Sequence, residues 1–487
     1  MMVSEQIKKI FSHSIVYGVG NILNRFLGFL LLPVYTHYFS PQQYGVFSLI
    51  YAFWFFAGVF YLFGMETSFQ KYFVESKTLN EQKKIFGSTL ILIFLTSVVL
   101  SSIIFFNSGF ISGIVTGNEK NIYLIKLLAV LLLIDALSRF PMIVLNAFQK
   151  SRLYTIINIS TVIINLFFNF LFIVVNHLGI ESIFYAFIIS YSYQLILSFV
   201  VCRKYFSLKI DKEEVQILTR FAISFLFYGL FLISLDLIDR FFLGYYKGED
   251  TVGIYSACYR IGMAMNLVIS GFRTAWIPFF IKLKEQSDNK IIFSKVFTYF
   301  SYGALLFFLI IALFAPDIIR IRIGSFSFLD EKYWSGMVIV PYVLLAYLFF
   351  GFYTNLNIAS YFENKISYLI ISTGVGCVSN IIFNLILIPL YSITGAAIAT
   401  LLSYFLMFAV VYILSQKVYY IKYEWSKIIF VFTLTIGIFL FNIYFPDIFP
   451  GVITKLYFVY FAKIISVLVL GIVILILYKK TSKTSTS

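Results

Sequence analysis

Arginine inside long apolar runs is the first chemistry this sequence offers. One run holds Asn21-Ile-Leu-Asn24-Arg25-Phe26 and a later one holds Asp236-Leu-Ile-Asp239-Arg240-Phe241. Arg139 and Arg260 sit in two more such runs, whereas Arg220 and Arg273 fall near run ends, where long side chains snorkel to the interface. A charge at mid-bilayer costs roughly 2.5–3.5 kcal/mol on insertion scales, so each internal arginine must face a partner or a polar interior. Arg25 has Asn21 at i−4 and no acid on its own helix, which marks it as a cation open to an anion. Asp236 precedes Arg240 by four residues and Asp135 precedes Arg139 by four, a spacing that suits an intrahelical ion pair. For Arg240 the pair and a ligand contact stand equally; for Arg139 the pair is the expectation. Arg260 has no nearby acid in sequence and is a candidate to face the interior. Oxygen ligands for a bound cation are offered by Asp236, Asp239, Asn380, Asn384 and Thr400, and a sodium ion would take Asp236, Asn380, Asn384 and Thr400. The plainer account makes Asn380 and Asn384 interhelical hydrogen-bond partners, as expected for their counterparts Asn165 and Asn169. Glu66, at a run end, is either a protonatable coupling group or an interfacial one. The three histidines and three cysteines form no metal spacing, and no nucleophile or phosphate-loop motif is present.

The elements that must position these residues are transmembrane helices. The 487 residues are 61% hydrophobic and 12% charged, against about 45–50% and about 25% in soluble domains. Continuous runs of about 20 residues exclude a β-barrel and give an all-α polytopic membrane protein. Fourteen spans are expected, near 11–33, 44–66, 86–107, 122–148, 153–176, 180–201, 217–243, 252–281, 293–316, 335–360, 366–389, 393–415, 427–446 and 456–478. With the amino terminus inside, 23 Lys and Arg fall in inner segments and 8 in outer ones, which places both termini in the cytoplasm. The net charge of +15 is thereby a topology signal and not a nucleic-acid surface. The 316–334 connection, with basic residues on the outer side, breaks the pattern.

The chain repeats itself. Gly45-Val-Phe-Ser48 returns as Gly253-Ile-Tyr-Ser256, Asn165-Leu-Phe-Phe-Asn169 as Asn380-Ile-Ile-Phe-Asn384, and Ala186-Phe-Ile-Ile-Ser190-Tyr191 as Ala399-Thr-Leu-Leu-Ser403-Tyr404. Six spans separate the copies, so the halves share one orientation. The expected division is a six-helix lobe over 1–202, a second over 203–416, and two additional helices with a short basic tail over 417–487.

With Ser40-Pro41-Gln-Gln-Tyr44-Gly45, Asp239-Arg240-Phe-Phe-Leu-Gly244, Trp276-Ile-Pro278 and Asn384-Leu-Ile-Leu-Ile-Pro389, the chain resembles the polysaccharide-repeat (O-antigen type) flippases of the MOP superfamily, relatives of MATE exporters and lipid II flippases. The resemblance implies a MATE-like, V-shaped pair of lobes in the bacterial cytoplasmic (inner) membrane. It implies alternating-access transfer of undecaprenyl-diphosphate-linked oligosaccharide, as in lipopolysaccharide assembly. No enzymatic chemistry is expected. Arg25, Arg260, Arg240 and Arg139 would then line a cationic cleft for the diphosphate head, since guanidinium matches phosphate as a planar fork. It further implies coupling to Na+ or H+, with no other cofactor, and as partners membrane lipids, a polymerase and other glycan-assembly proteins, but no nucleic acid. Two other functions fit the same composition. A MATE-type multidrug exporter would ordinarily have twelve spans and a more acidic cavity. A membrane-embedded glycan polymerase would need a long outer loop.

Overall fold

The computed structural model describes residues 29–483 apart from 148–150, 208, 285, 287, 325, 364 and 449–455. Its helices are α1 (Leu32–Tyr38), α2 (Pro41–Leu62), α3 (Met65–Glu75), α4 (Leu79–Phe106), α5 (Ser108–Thr116), α6 (Ile122–Ala147), α7 (Ser151–Asn169) and α8 (Glu181–Cys202). Then come α9 (Lys212–Lys247), α10 (Glu249–Gly262), α11 (Ala264–Lys282) and α12 (Asn289–Ile318). The last are α13 (Val340–Leu356), α14 (Ile358–Phe362), α15 (Ile366–Val418), α16 (Trp425–Ile448) and α17 (Leu456–Lys483). Local sequence sets several starts. Ser40 and Gln43 close a capping box at α2 with bonds of 3.2 and 3.0 Å, and Pro41 occupies the first turn, where no N–H is needed. Asp211 caps α9, and the Lys84 ammonium beside it holds its carboxyl below the usual range.

Among the described residues twelve helices are long and apolar enough to cross a membrane. One of them, α15, turns back on itself at Ser392 (φ 52°, ψ −129°), so its arms over 366–391 and 393–418 are two spans. With the two arms counted separately, thirteen of the fourteen expected spans lie among the described residues; most of the first, near 11–33, lies outside them. Two features differ from the sequence expectation. The single span at 252–281 is α10 and α11, broken at Met263. The 316–334 connection folds into an antiparallel pair, β1 (Arg322–Ile323) and β2 (Phe326–Ser327), before a 3-10 turn at Glu331–Ile339. Short polar caps allow this: Asp330 accepts from the Lys332 N–H at 3.1 Å.

The repeated glycines meet. A Cβ on Gly45 would lie 1.8 Å from the Glu249 carbonyl oxygen, and one on Gly253 would lie 1.9 Å from that of Pro41. The repeat offset of 208 exchanges the two contacts, Gly45 with Gly253 and Pro41 with Glu249, so a pseudo-twofold axis passes through the crossing of α2 and α10. At the far end of α2, Gly64 abuts the Ala222 carbonyl of α9, and Ser68 donates to the Leu218 carbonyl at 2.7 Å. The copies therefore touch at both ends of the bundle. The appended α17 is tied to α12 through Lys463 and Asp317 at 2.5 Å, and to α16 through Asn442 and Ser466 at 2.8 Å.

Candidate functional site

Three elements bring acids and phenols together in the second half. α9 carries Asp236, Asp239 and Arg240; α10 carries Tyr255 and Tyr259 one turn apart; α13 supplies Tyr347. Arg240 Nη1 holds Asp239 Oδ1 at 2.8 Å and donates to the Asp236 main-chain carbonyl at 2.6 Å. The expected i−4 pair with the Asp236 carboxylate is thus not the one formed. The reason is competition: Asp236 Oδ1 accepts from Tyr347 at 2.5 Å and from Tyr259 at 3.2 Å. Tyr255 donates to Asp239 Oδ2, and the guanidinium lies over the Tyr259 ring at 4.6 Å and the Tyr255 ring at 5.8 Å. Asp239 and Arg240 are 1% and 5% exposed, a depth at which unpaired charge costs several kcal/mol, so the phenols and the pair must share the load. Two carboxylates face one guanidinium, which leaves room for one further positive charge.

The asparagine pair stands beside this cluster. A Cβ on Gly374 would meet the Phe231 ring and one on Gly376 the Leu235 side chain, so the first arm of α15 runs parallel to α9. One turn further, Asn380 is level with Asp239. Thr400, on the second arm, interacts with Tyr255, and Tyr404 with Asp236. Asn384 donates to Asn380 Oδ1 at 2.9 Å, yet Asn384 Oδ1 and Asn380 Nδ2 are fully buried and have no partner among the described residues. The first-half copy differs. Asn169 Oδ1 accepts from Tyr35 at 2.9 Å, and Asn165 Nδ2 donates to Ser190 at 3.1 Å. The same motif is satisfied in one half and left with a spare amide oxygen in the other.

Arg139, Arg260 and Glu66 lie elsewhere. Arg139 grips Asp135 with two nitrogens, at 3.0 and 3.1 Å, and reaches Glu66 at 3.3 Å. Trp54 donates to the same Asp135 at 3.1 Å. Arg139 and Glu66 are therefore partners of each other in the first half, while Asp236, Asp239, Asn380, Asn384 and Thr400 gather in the second. Arg260, half-buried on α10, lies over the rings of Tyr44, Tyr51 and Phe47 of α2 at 5.7, 5.8 and 6.0 Å. It sits on the seam between the copies, about 16 Å along the span from Glu249 at 1.5 Å per residue. Arg25, with Asn21 and Asn24, lies outside the described residues. The sequence reading did not single out Tyr259 and Tyr347. Among 36 tyrosines only the i, i+4 spacing of Tyr255 and Tyr259 after the second repeat motif could have pointed to one of them.

The profile of the family described as "Polysaccharide biosynthesis protein" matches residues 10–284, more than half of the chain. No curated protein matches the sequence. The fold is similar to the lipid II flippase MurJ in an inward closed conformation, with a TM-score of 0.75 at 15% identity over 94% of this chain and 98% of that one. It is similar to a mutant of the Vibrio cholerae MATE transporter VcmN, with a TM-score of 0.63 at 12% identity over 85% and 97%. A MOP superfamily transporter from Pyrococcus furiosus gives 0.62 at 14% identity over 84% and 95%. At such identities the likeness speaks for the fold, and the profile match speaks for the family. This multi-pass membrane chain belongs to the family described as "Polysaccharide biosynthesis protein".

Proposed function

We propose that the chain flips undecaprenyl-diphosphate-linked oligosaccharide across the cytoplasmic membrane by alternating access. The observation that carries this reading is Arg260, a guanidinium at membrane depth on the seam between the two copies, laid over three aromatic faces. A seam is where a head group must pass if the halves part at one end and then at the other. α2 runs from the Gly45 crossing to the Gly64 contact, about 28 Å at 1.5 Å per residue, and Arg260 lies between these closures. The aromatic faces hold the cation at this depth, and a guanidinium there matches a diphosphate as a planar donor fork. Arg25 is the second cation of the proposed cleft. The interior acids count against a MATE-type exporter of cations: Asp135, Asp236 and Asp239 already accept from arginines or phenols.

Coupling to Na+ or H+ is part of the proposal. The residues fit such a charge: two carboxylates face one guanidinium, and Asn384 Oδ1 is a buried oxygen with no donor among the described residues. Asp236, Asp239, Asn380, Asn384 and Thr400 would hold a sodium ion or share a proton, and the bound charge would neutralise the cluster.

The test is surface-glycan export in cells that depend on this chain for it. Arg260→Ala and Arg25→Ala should each lower export by about 10- to 100-fold, the worth of a hydrogen bond to a charged group, with unchanged membrane levels. Arg260→Lys should retain part of the activity. Full export in both alanine variants would remove the anionic cleft. In proteoliposomes, Asp236→Asn with Asn384→Ala should abolish dependence on the ion gradient, and an unchanged dependence would move the coupling site elsewhere.

A further inference from the structure

A groove separate from the seam interior opens where α3 of the first copy meets α9 and the first turn of α15. Its volume is about 630 Å³. The walls are the rings of Tyr72, Phe221 and Phe225 with three isoleucines, and the polar edge is Arg220, Ser224 and Ser367. Lys71 stands at the rim with its ammonium 4.4 Å from the Phe221 ring centroid.

Arg220 makes no ion pair among the described residues, and no acid lines the groove. Of the acids at this end of α9, Asp211 pairs with Lys84, and Glu213 and Glu214 occupy the first turn. Arg220 lies eight residues into α9, about 12 Å along its axis, the depth at which a guanidinium meets head groups and glycerol. Lys77, Lys83, Lys84, Arg203 and Lys204 crowd the same end of the bundle, the mark of a cytoplasmic face. Apolar walls leading away from two uncommitted cations and two hydroxyls match one ligand chemistry. It is a phosphodiester head with an acyl chain attached, and basic pockets between transmembrane helices hold such heads on this face.

We propose that this groove is a binding site for an anionic phospholipid of the cytoplasmic leaflet. The phosphate sits between Arg220, Ser224 and Ser367, Lys71 closes over it, and one acyl chain lies along Phe221 and Phe225. The groove spans both copies, because Tyr72 and Lys71 come from the first and the rest from the second. An occupant therefore bridges them beside the Gly64–Ala222 contact and holds that end shut. Local lipid composition thereby sets how readily this end opens.

The full-length protein, purified in detergent and delipidated, tests the site by thermal unfolding and native mass spectrometry. Added dioleoyl-phosphatidylglycerol should raise the melting temperature and give a one-lipid adduct, while dioleoyl-phosphatidylcholine does neither. Arg220→Gln with Lys71→Gln should weaken the phosphatidylglycerol midpoint by about tenfold or more, with an unchanged melting temperature in lipid-free detergent. Glycerol phosphate without acyl chains should give no shift; a shift with it alone would make the site one for a free phosphate and overturn the lipid assignment. Displacement of phosphatidylglycerol by stoichiometric undecaprenyl diphosphate would make the groove a substrate portal and also overturn it. Equal midpoints for wild type and the double variant would place the lipid elsewhere. These readouts do not depend on export, so they separate from the failure of the flippase reading.

Discussion

At the residue scale the arginines divide by what surrounds them. Asp135 beneath Arg139 and Asp239 beside Arg240 were readable as nearby acids, because helical spacing is a local property of sequence. That Arg240 would choose Asp239 over Asp236 was not readable, since the phenols that claim Asp236 come from residues 259 and 347 on other helices. The pair has a stability consequence. Arg240→Met leaves the Asp239 carboxylate buried at 1% exposure against a phenol alone, and should destabilise the folded protein by about 3–5 kcal/mol. Asp239→Asn with Arg240→Met removes both charges and should regain most of that loss. Unfolding in detergent with increasing denaturant measures both variants. A double variant no more stable than Arg240→Met would show that the pair is not what the guanidinium supports.

At the element scale the span boundaries were legible because apolar runs and capping residues fix them locally. Ser40-Pro41 opens α2, and the turn at Ser392 falls between the two spans that the sequence separates at 389 and 393. The β1–β2 hairpin was invisible, being two residues per strand with no alternating pattern. Gly45 and Gly253 were visible as a repeat, but that the two glycines face each other follows only from the crossing of α2 and α10. There, any Cβ strikes a backbone carbonyl that cannot rotate away. Gly45→Ala or Gly253→Ala should therefore cost about 1–3 kcal/mol by overpacking and lower the melting temperature. Gly58, also on α2, has nothing within 4 Å of its Cβ position, so Gly58→Ala should leave stability unchanged or raise it through helix propensity. Equal melting of Gly253→Ala and wild type would mean that the helices do not cross at this distance.

At the scale of the whole molecule the two copies are closed on each other at both ends, and the proposed alternating access requires that each closure come apart in turn. The end at Pro41 and Glu249 carries an additional strap that no local pattern announces, because its partners are about 290 residues apart. From the 316–334 connection and the turn after it, the Ser327 N–H donates to His37 Nε2 at 3.3 Å, the Asp330 N–H to Thr36 Oγ1 at 3.4 Å, and the Tyr333 hydroxyl to the Phe39 carbonyl at 3.0 Å. His37 Nδ1 lies 2.8 Å from the Pro33 carbonyl, which only an N–H can satisfy. The Nδ1 proton is thus committed to that carbonyl, and the Nε2 lone pair is turned to the strap. The Phe326 ring packs on the imidazole at 4.8 Å, while Asp330 and Glu331 are each paired with a basic residue of the strap itself. Removing the imidazole acceptor should therefore loosen the strap. With Ser327→Cys as reporter, labelling by an impermeant maleimide at one fixed pH should rise about 2- to 10-fold on His37→Ala, the worth of one hydrogen bond. His37→Gln keeps an acceptor and should leave labelling close to that of the protein with His37. Unchanged labelling in His37→Ala would mean that the strap is held by Thr36 and Phe39 alone.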